Sequence, residues 1–320
     1  MKRIDDFLDG VTCVGISGHV RPDGDCIGSV LGCYNYIAQN YPEIDVHVYL
    51  DNIVECFEFL PASEKIEKHR EYKAPFDLFI SLDCADRERL GDSVKLFKAA
   101  KNTVCIDHHV SNKGFADENF IEPNRSSASE LLYTMLDPDK VTEEVAVCLY
   151  TGIVHDTGVF QYSCTGRETM SIAGRLIEFG FDFPRIIEES FFAKSYAQNK
   201  ATGLVVCGSS LHAGGKVIVG TLTFKQMKEV GVDVSHLDGI VNQLKVTEGV
   251  HVAVFVHQNS DGWKVSMRSD GVNVSDVAVS FGGGGHVRAA GCTLREMTLE
   301  EAVDTILVPV IKAVEEDYPD

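Results

Sequence analysis

Val11-Thr12-Cys13-Val14-Gly15-Ile16-Ser17-Gly18-His19-Val20-Arg21-Pro22-Asp23-Gly24-Asp25 runs from an apolar stretch into a loop bearing one histidine and two acids. Residues 11–17 read as a strand. Residues 27–40 read as a helix, because Ile27, Val30, Leu31, Tyr34 and Ile37 recur on one helical face. Working outward, residues 45–50, 76–82 and 104–106 are further strands, and 127–136, 143–154 and 167–179 are helices. Strands alternating with helices predict a mostly parallel sheet covered on both faces.

Gly180 and Pro184 punctuate the chain, and the polar segment around Ser195-Tyr196-Ala197-Gln198-Asn199-Lys200 follows. Beyond it the pattern changes. Strands are expected at 216–224, 251–257 and 263–268, and helices at 234–244, 275–281 and 299–316. The expected fold class is α/β with two domains: a larger N-terminal parallel-sheet domain (1–185), and a smaller C-terminal α/β domain (204–320) facing it across a cleft. A helical connector spans 186–203.

The chain has 320 residues, of which 44% are hydrophobic and 24% charged. That balance excludes global disorder. Lys plus Arg is 29 and Asp plus Glu is 48, a net charge of −19. This argues against a surface that coats long duplex DNA, while a small anion can still be held by local positive groups. Ten cysteines include no CxxC pair, which argues against a zinc ribbon or thioredoxin site. Cysteines within apolar runs, such as Cys105, behave as small hydrophobes. The start of the chain has no signal-like apolar region, and no stretch approaches 18 apolar residues. The expectation is a soluble cytoplasmic protein with reduced cysteines and no membrane partner.

Four acid and histidine clusters fall at or just after the ends of expected elements. They are His19 to Asp25, Ser81-Leu82-Asp83-Cys84-Ala85-Asp86, Cys105-Ile106-Asp107-His108-His109, and His155-Asp156. A single aspartate after a strand is ordinarily a cap or turn residue. In an open parallel sheet, however, loops at the carboxyl ends of strands share one crevice. Asp23, Asp25, Asp83, Asp107 and Asp156 would repel one another there unless cations were present. Oxygen and imidazole donors suit Mn²⁺, Mg²⁺ or Fe²⁺. Two such ions about 4 Å apart activate water and clamp a phosphoryl group, which predicts metal-dependent phosphoester hydrolysis.

In the second half, Gly282-Gly283-Gly284-Gly285-His286-Val287-Arg288 joins backbone that an anion can approach closely to two cationic side chains. Arg268 adds a guanidinium suited to phosphate, and Ser269 a hydroxyl. Upstream, Ser126 or Ser127 with Glu130 has the pattern of a helix capping box, next to Arg125.

The order His19-x-x-x-Asp23-x-Asp25, Asp83, Asp107-His108-His109, Asp156 resembles the signature motifs of the DHH phosphoesterase superfamily. Gly282 to Gly291 and Arg268-Ser269 resemble its DHH-associated C-terminal domain. In length and order the chain is similar to the NrnA-like branch, oligoribonucleases that also act on 3′-phosphoadenosine 5′-phosphate. The resemblance implies that His19 and Asp23 bind one metal, that Asp25, His108 and Asp156 bind a second, and that Asp83 bridges both. It implies that His109 faces the substrate phosphate, with Asp107 orienting the histidine pair. Gly283, Gly284, Gly285, His286, Arg268, Ser269 and Arg288 would bind substrate. The cofactors implied are two divalent ions, Mn²⁺ first, with Mg²⁺ or Fe²⁺ as alternatives. The partners implied are short RNA (nanoRNA), 3′-phosphoadenosine 5′-phosphate or dinucleotides. A cyclic di-AMP or linear dinucleotide phosphodiesterase uses the same motifs and stays open, as does a homodimer. An inactive nucleotide-binding regulator ranks lower, since every expected ligand is present.

Overall fold

A computed structural model describes residues 2–67 and 75–319. The chain forms two compact units, Met1–Ala193 and Lys194–Asp320. The first contains β1 (Cys13–Ser17), α1 (Gly24–Asn40), β2 (Asp45–Tyr49), β3 (Ile66–Glu67), β4 (Leu78–Leu82), α2 (Val94–Ala99), β5 (Asn102–Asp107), β6 (Glu118–Ile121), α3 (Ala128–Met135), α4 (Glu143–Asp156), α5 (Arg167–Ile177) and α6 (Phe183–Ile186).

Its six described strands are all parallel, in the order β3-β2-β1-β4-β5-β6. β4 is buried along its whole length, as a central strand covered on both faces must be. Leu78, Ile80 and Leu82 enter one core with α1, α3 and α4, while Phe79 points the other way, to Phe76, Leu90, Leu96 and Phe97. The chain leaves β1 toward β2 and leaves β4 toward β5, in opposite lateral directions. The carboxyl ends of β1 and β4 therefore flank the switch point, where this fold opens a crevice.

The second unit contains α7 (Tyr196–Cys207), β7 (Ser210–His212), β8 (Val217–Leu222), α8 (Phe224–Val230), α9 (Ile240–Lys245), β9 (Val252–Asn259), β10 (Gly262–Ser269), α10 (Val274–Ser280), β11 (Gly284–His286), β12 (Ala289–Leu294) and α11 (Leu299–Asp317). Its sheet has the order β11-β12-β10-β9-β8-β7 and is antiparallel except between β8 and β9. No described helix is long and apolar enough to cross a membrane.

Several expected elements change. The segment 186–203 divides between the units: a π-helical turn, Ile187–Phe192, closes the first, and α7 joins the second through buried Ala201 and Val205. The helix expected over 234–244 is broken, because Gly239 adopts φ 87° and caps a shorter α9. The strand expected to reach 224 stops at Leu222, where Thr223 and Gln226 form a reciprocal cap that starts α8. The Gly-rich segment, for which no strand was expected, is half of a β-hairpin.

Candidate active site

The metal-site residues expected from sequence meet around the ends of β1, β4 and β5 and the last residue of α4. Asp23 caps α1 by accepting from the Cys26 amide at 3.1 Å, so the ordinary cap role is filled as well. Asp25, in the first turn of α1, reaches the start of α3, where its two oxygens accept from the Ala128 and Ser129 amides at 2.6 and 3.0 Å. A helix amino terminus favours such a carboxylate. Gly152 of α4 makes room for it: a Cβ there would lie 2.8 Å from Asp25 Oδ1 and 2.0 Å from Ser129 Oγ.

Asp83 follows β4 with φ 53°, a conformation a non-glycine residue rarely adopts. It turns one oxygen to each side of the crevice. Oδ2 lies 3.5 Å from His19 Nε2, and Oδ1 lies 3.6 Å from His108 Nε2. Asp23 Oδ1 lies 3.7 Å from His19 Nε2. On the far side, Asp156 Oδ2 and Asp25 Oδ2 lie 3.0 and 3.9 Å from His108 Nε2.

The imidazoles are oriented by their other nitrogens. His19 Nδ1 donates to the Val20 carbonyl at 2.9 Å, and His108 Nδ1 faces the Arg125 carbonyl at 3.4 Å. Both arrangements turn Nε2 to the carboxylates, as metal-ligating histidines require. His109 differs. Its Nδ1 donates to Asp107 Oδ1 at 2.7 Å, and Asp107 Oδ2 accepts from Asn112 at 2.7 Å. Asp107 is fully buried and thus holds His109 rather than lining the crevice.

The electrostatics are unbalanced without a cation. Burial and the Asp83 and Asp156 charges raise the pKa of Asp25. Burial opposes the protonated form of His108, yet Asp156 and Asp83 outweigh it and push the ring up to about 12. Asp83 Oδ1 is buried and accepts no hydrogen bond. Such an oxygen is costly to leave unmatched, and a divalent cation among these oxygen and imidazole donors supplies its partner. Residues His19, Asp83, His108, Asp25 and Asp156 thus fit a metal. Cys26 lies within the same ligand radius, but burial pushes its thiol up to about 12, so it packs as a neutral group.

Sequence reasoning missed Glu130 as part of this site. Its buried carboxylate accepts from Ser126 Oγ at 2.5 Å, Thr169 Oγ1 at 2.7 Å and Arg125 Nη1 at 3.2 Å. Arg125 also pairs with Glu122 and Glu168, so it is committed to this network. The clamp fixes the Arg125 carbonyl that faces His108 and the α3 amides that hold Asp25. The Ser-Ser-x-x-Glu pattern signalled only the helix start, and there Ser127 is the cap. Glu130→Gln is expected to destabilise the protein by about 1–3 kcal/mol and to weaken metal binding about tenfold. Thermal melting and metal titration check the two effects.

In the second unit, β-sheet register gathers the expected substrate residues. Arg268 pairs with Ala289, and Ala289 pairs with His286, so all three share one face. Gly291 and Gly284 pave the same face. Between the Arg268 and His286 side chains the sheet therefore presents only a methyl group and bare backbone. Gly283 is required by packing: a Cβ there would lie 2.2 Å from the Gly291 carbonyl oxygen. Gly285 likewise packs on β12 with φ 145°. Ser269 has a local role, donating through Oγ to the Val272 carbonyl at 2.5 Å, while its amide donates to the Arg288 carbonyl at 3.0 Å.

Known proteins share this organisation. Residues 13–153 match the DHH family, N-terminal domain, and residues 214–316 match the DHHA1 domain. The chain is 31% identical over 300 residues to a bifunctional oligoribonuclease and PAP phosphatase NrnA from Thermus thermophilus, covering 92% of this chain and 88% of the relative. It is 27% identical over 281 residues to the protein of the same name from Bacillus subtilis, covering 86% and 87%. An exopolyphosphatase-related protein from Bacteroides fragilis, solved by crystallography, superimposes with a TM-score of 0.87 at 25% identity, covering 98% of this chain and 95% of that one. With its acids and histidines gathered at the ends of β1, β4 and β5, and these matches along most of its length, the chain belongs to the DHH family, with a DHHA1 domain after the DHH domain.

Proposed function

We propose that this protein is a metal-dependent phosphoesterase that hydrolyses very short RNA to 5′-mononucleotides and converts 3′-phosphoadenosine 5′-phosphate to AMP. The observation that carries the reading is Asp83, whose two oxygens face His19 on one side and His108 on the other. The names of the relatives, oligoribonuclease and PAP phosphatase, support the substrate class.

His19 and Asp23 would hold one ion, Asp25, His108 and Asp156 a second, and Asp83 both. The donor set favours two Mn²⁺ ions, with Mg²⁺ or Fe²⁺ as alternatives. What such a pair supplies is an activated water and neutralised phosphoryl charge. The remaining steps belong to side chains. Asp107 fixes His109 so that Nε2 is the nitrogen offered to a phosphoryl oxygen, where it stabilises developing charge. Arg268, His286 and Arg288 would bind nucleotide over the face paved by Gly284, with Gly283 and Gly285 holding the hairpin. Ser269 acts by tying β10 to Arg288. With a net charge of −19, a long polyanion is disfavoured, whereas a few nucleotides need only these local cations.

Initial rates with Mn²⁺ on a diribonucleotide, a pentaribonucleotide, a long RNA, 3′-phosphoadenosine 5′-phosphate and cyclic di-AMP test the reading. Short RNA and the bisphosphate should turn over fastest. Dominant cleavage of cyclic di-AMP would replace the substrate assignment and leave the metal centre in place. Binding without any turnover would favour a nucleotide-binding regulator. Arg288→Ala should raise KM about tenfold or more, the loss of a charged hydrogen bond, with kcat little changed. An unchanged KM on every nucleotide would remove Arg288 from recognition.

A further inference from the structure

At the opposite end of the first sheet a second group of metal donors comes together. Cys13 is the first residue of β1, and Asp45, its register partner, is the first of β2. His47 lies two residues along β2, on the same face. Val46 and Val48 point the other way, into the core under α1. One ligand atom each from Cys13, Asp45 and His47 lie within 4.8 Å of one another. The group is separate from the centre described above. Four residue steps along β1 separate Cys13 from Ser17, roughly 13 Å at strand rise.

We propose that Cys13, Asp45 and His47 form a second metal site, for one zinc-class ion, that joins the starts of β1 and β2. Two features beyond proximity point to it. The first is the orientation of His47. Glu67, at the end of edge strand β3, lies 2.5 Å from its Nδ1, while Nε2 faces Asp45 Oδ2 at 3.1 Å. A carboxylate behind one nitrogen is the usual support of a ligating imidazole. Donor atoms each about 2 Å from a tetrahedral zinc sit roughly 3.3 Å apart, close to the Asp45–His47 separation. The second is the donor chemistry. A thiolate with imidazole and carboxylate prefers zinc over the harder ions that suit the carboxylate-rich centre at the other end of the sheet. Three protein ligands leave a tetrahedral ion one further position for water. The site would fix the strand starts and, through Glu67, the short edge strand β3.

Cobalt titration of the metal-free full chain tests this, because a thiolate ligand gives cobalt a near-ultraviolet charge-transfer band. The band should saturate at an amplitude of one thiolate-bound cobalt per chain, whatever cobalt the carboxylate-rich centre also takes, and vanish when zinc is added. It should be absent in Cys13→Ser and appear only at tenfold or greater cobalt concentration in His47→Gln. It should persist in Cys26→Ala, which removes the thiol beside His19. Circular dichroism checks that each variant is folded, and the half-exposed positions of Cys13 and His47 make these substitutions mild. Turnover of a diribonucleotide in Mn²⁺ should be unchanged in Cys13→Ser. No band in the wild-type chain, or a band that survives in folded Cys13→Ser, overturns the proposal and leaves His47 as an imidazolium held between Asp45 and Glu67.

Discussion

Asp83→Asn is expected to abolish metal loading and turnover together. Every other carboxylate at the centre lies near one imidazole side, whereas Asp83 addresses His19 with one oxygen and His108 with the other. An amide keeps the shape but supplies one neutral oxygen and a nitrogen donor, which would point at an imidazole or at an ion. The metal contribution to phosphoryl transfer is several kcal/mol, so the rate should fall on the order of a thousandfold or more. Calorimetric titration with Mn²⁺ and single-turnover assays read the two losses separately. Full loading with lost turnover would show that Asp83 acts on substrate and does not hold metal. Wild-type turnover would refute the assignment of the centre altogether.

His109→Gln should separate chemistry from metal binding. The ring is held by Asp107 through Nδ1, which also lies 3.6 Å from Asp83 Oδ1, whereas His19 and His108 turn Nε2 to the carboxylates. Its loss should therefore leave Mn²⁺ affinity near that of the wild type. kcat should fall about a hundredfold to a thousandfold, the range for removing one charge-stabilising donor. Asp107→Asn should reproduce part of that loss, because the amide no longer fixes which nitrogen of His109 carries the proton. Equal loss of metal and activity in His109→Gln would make it a ligand. An unchanged kcat would remove it from the reaction.

Much of this was legible along the chain. The acid and histidine clusters, their order, and the strand or helix ending at each could be read from apolar periodicity and residue type, because those signals are local. His19, Asp23, Asp25, Asp83, His108 and Asp156 do gather at one crevice. The less legible parts depend on partners distant in sequence. Glu130 looked like a cap residue, because its role depends on Arg125 and Thr169 converging on it. The hairpin formed by the tetraglycine segment was not legible, because its partner strand, Ala289–Leu294, is weakly apolar. The connector around residue 196 read as polar, because few side chains of α7 reach a core: Ala201 and Val205 are buried there, with Ala197 packed against it.

The sequence by itself determined the α/β alternation, the donor types and their order, since each follows from neighbours within a few residues. Tertiary structure decided which oxygen of Asp83 faces which imidazole, that Asp107 supports His109, and that Arg268 and His286 share a face. It also placed Cys13 beside His47, across a strand pair that begins 32 positions apart. These outcomes are set by strand register and by backbone angles such as the positive φ of Asp83. Both are fixed by packing across the sheet, which local sequence does not encode.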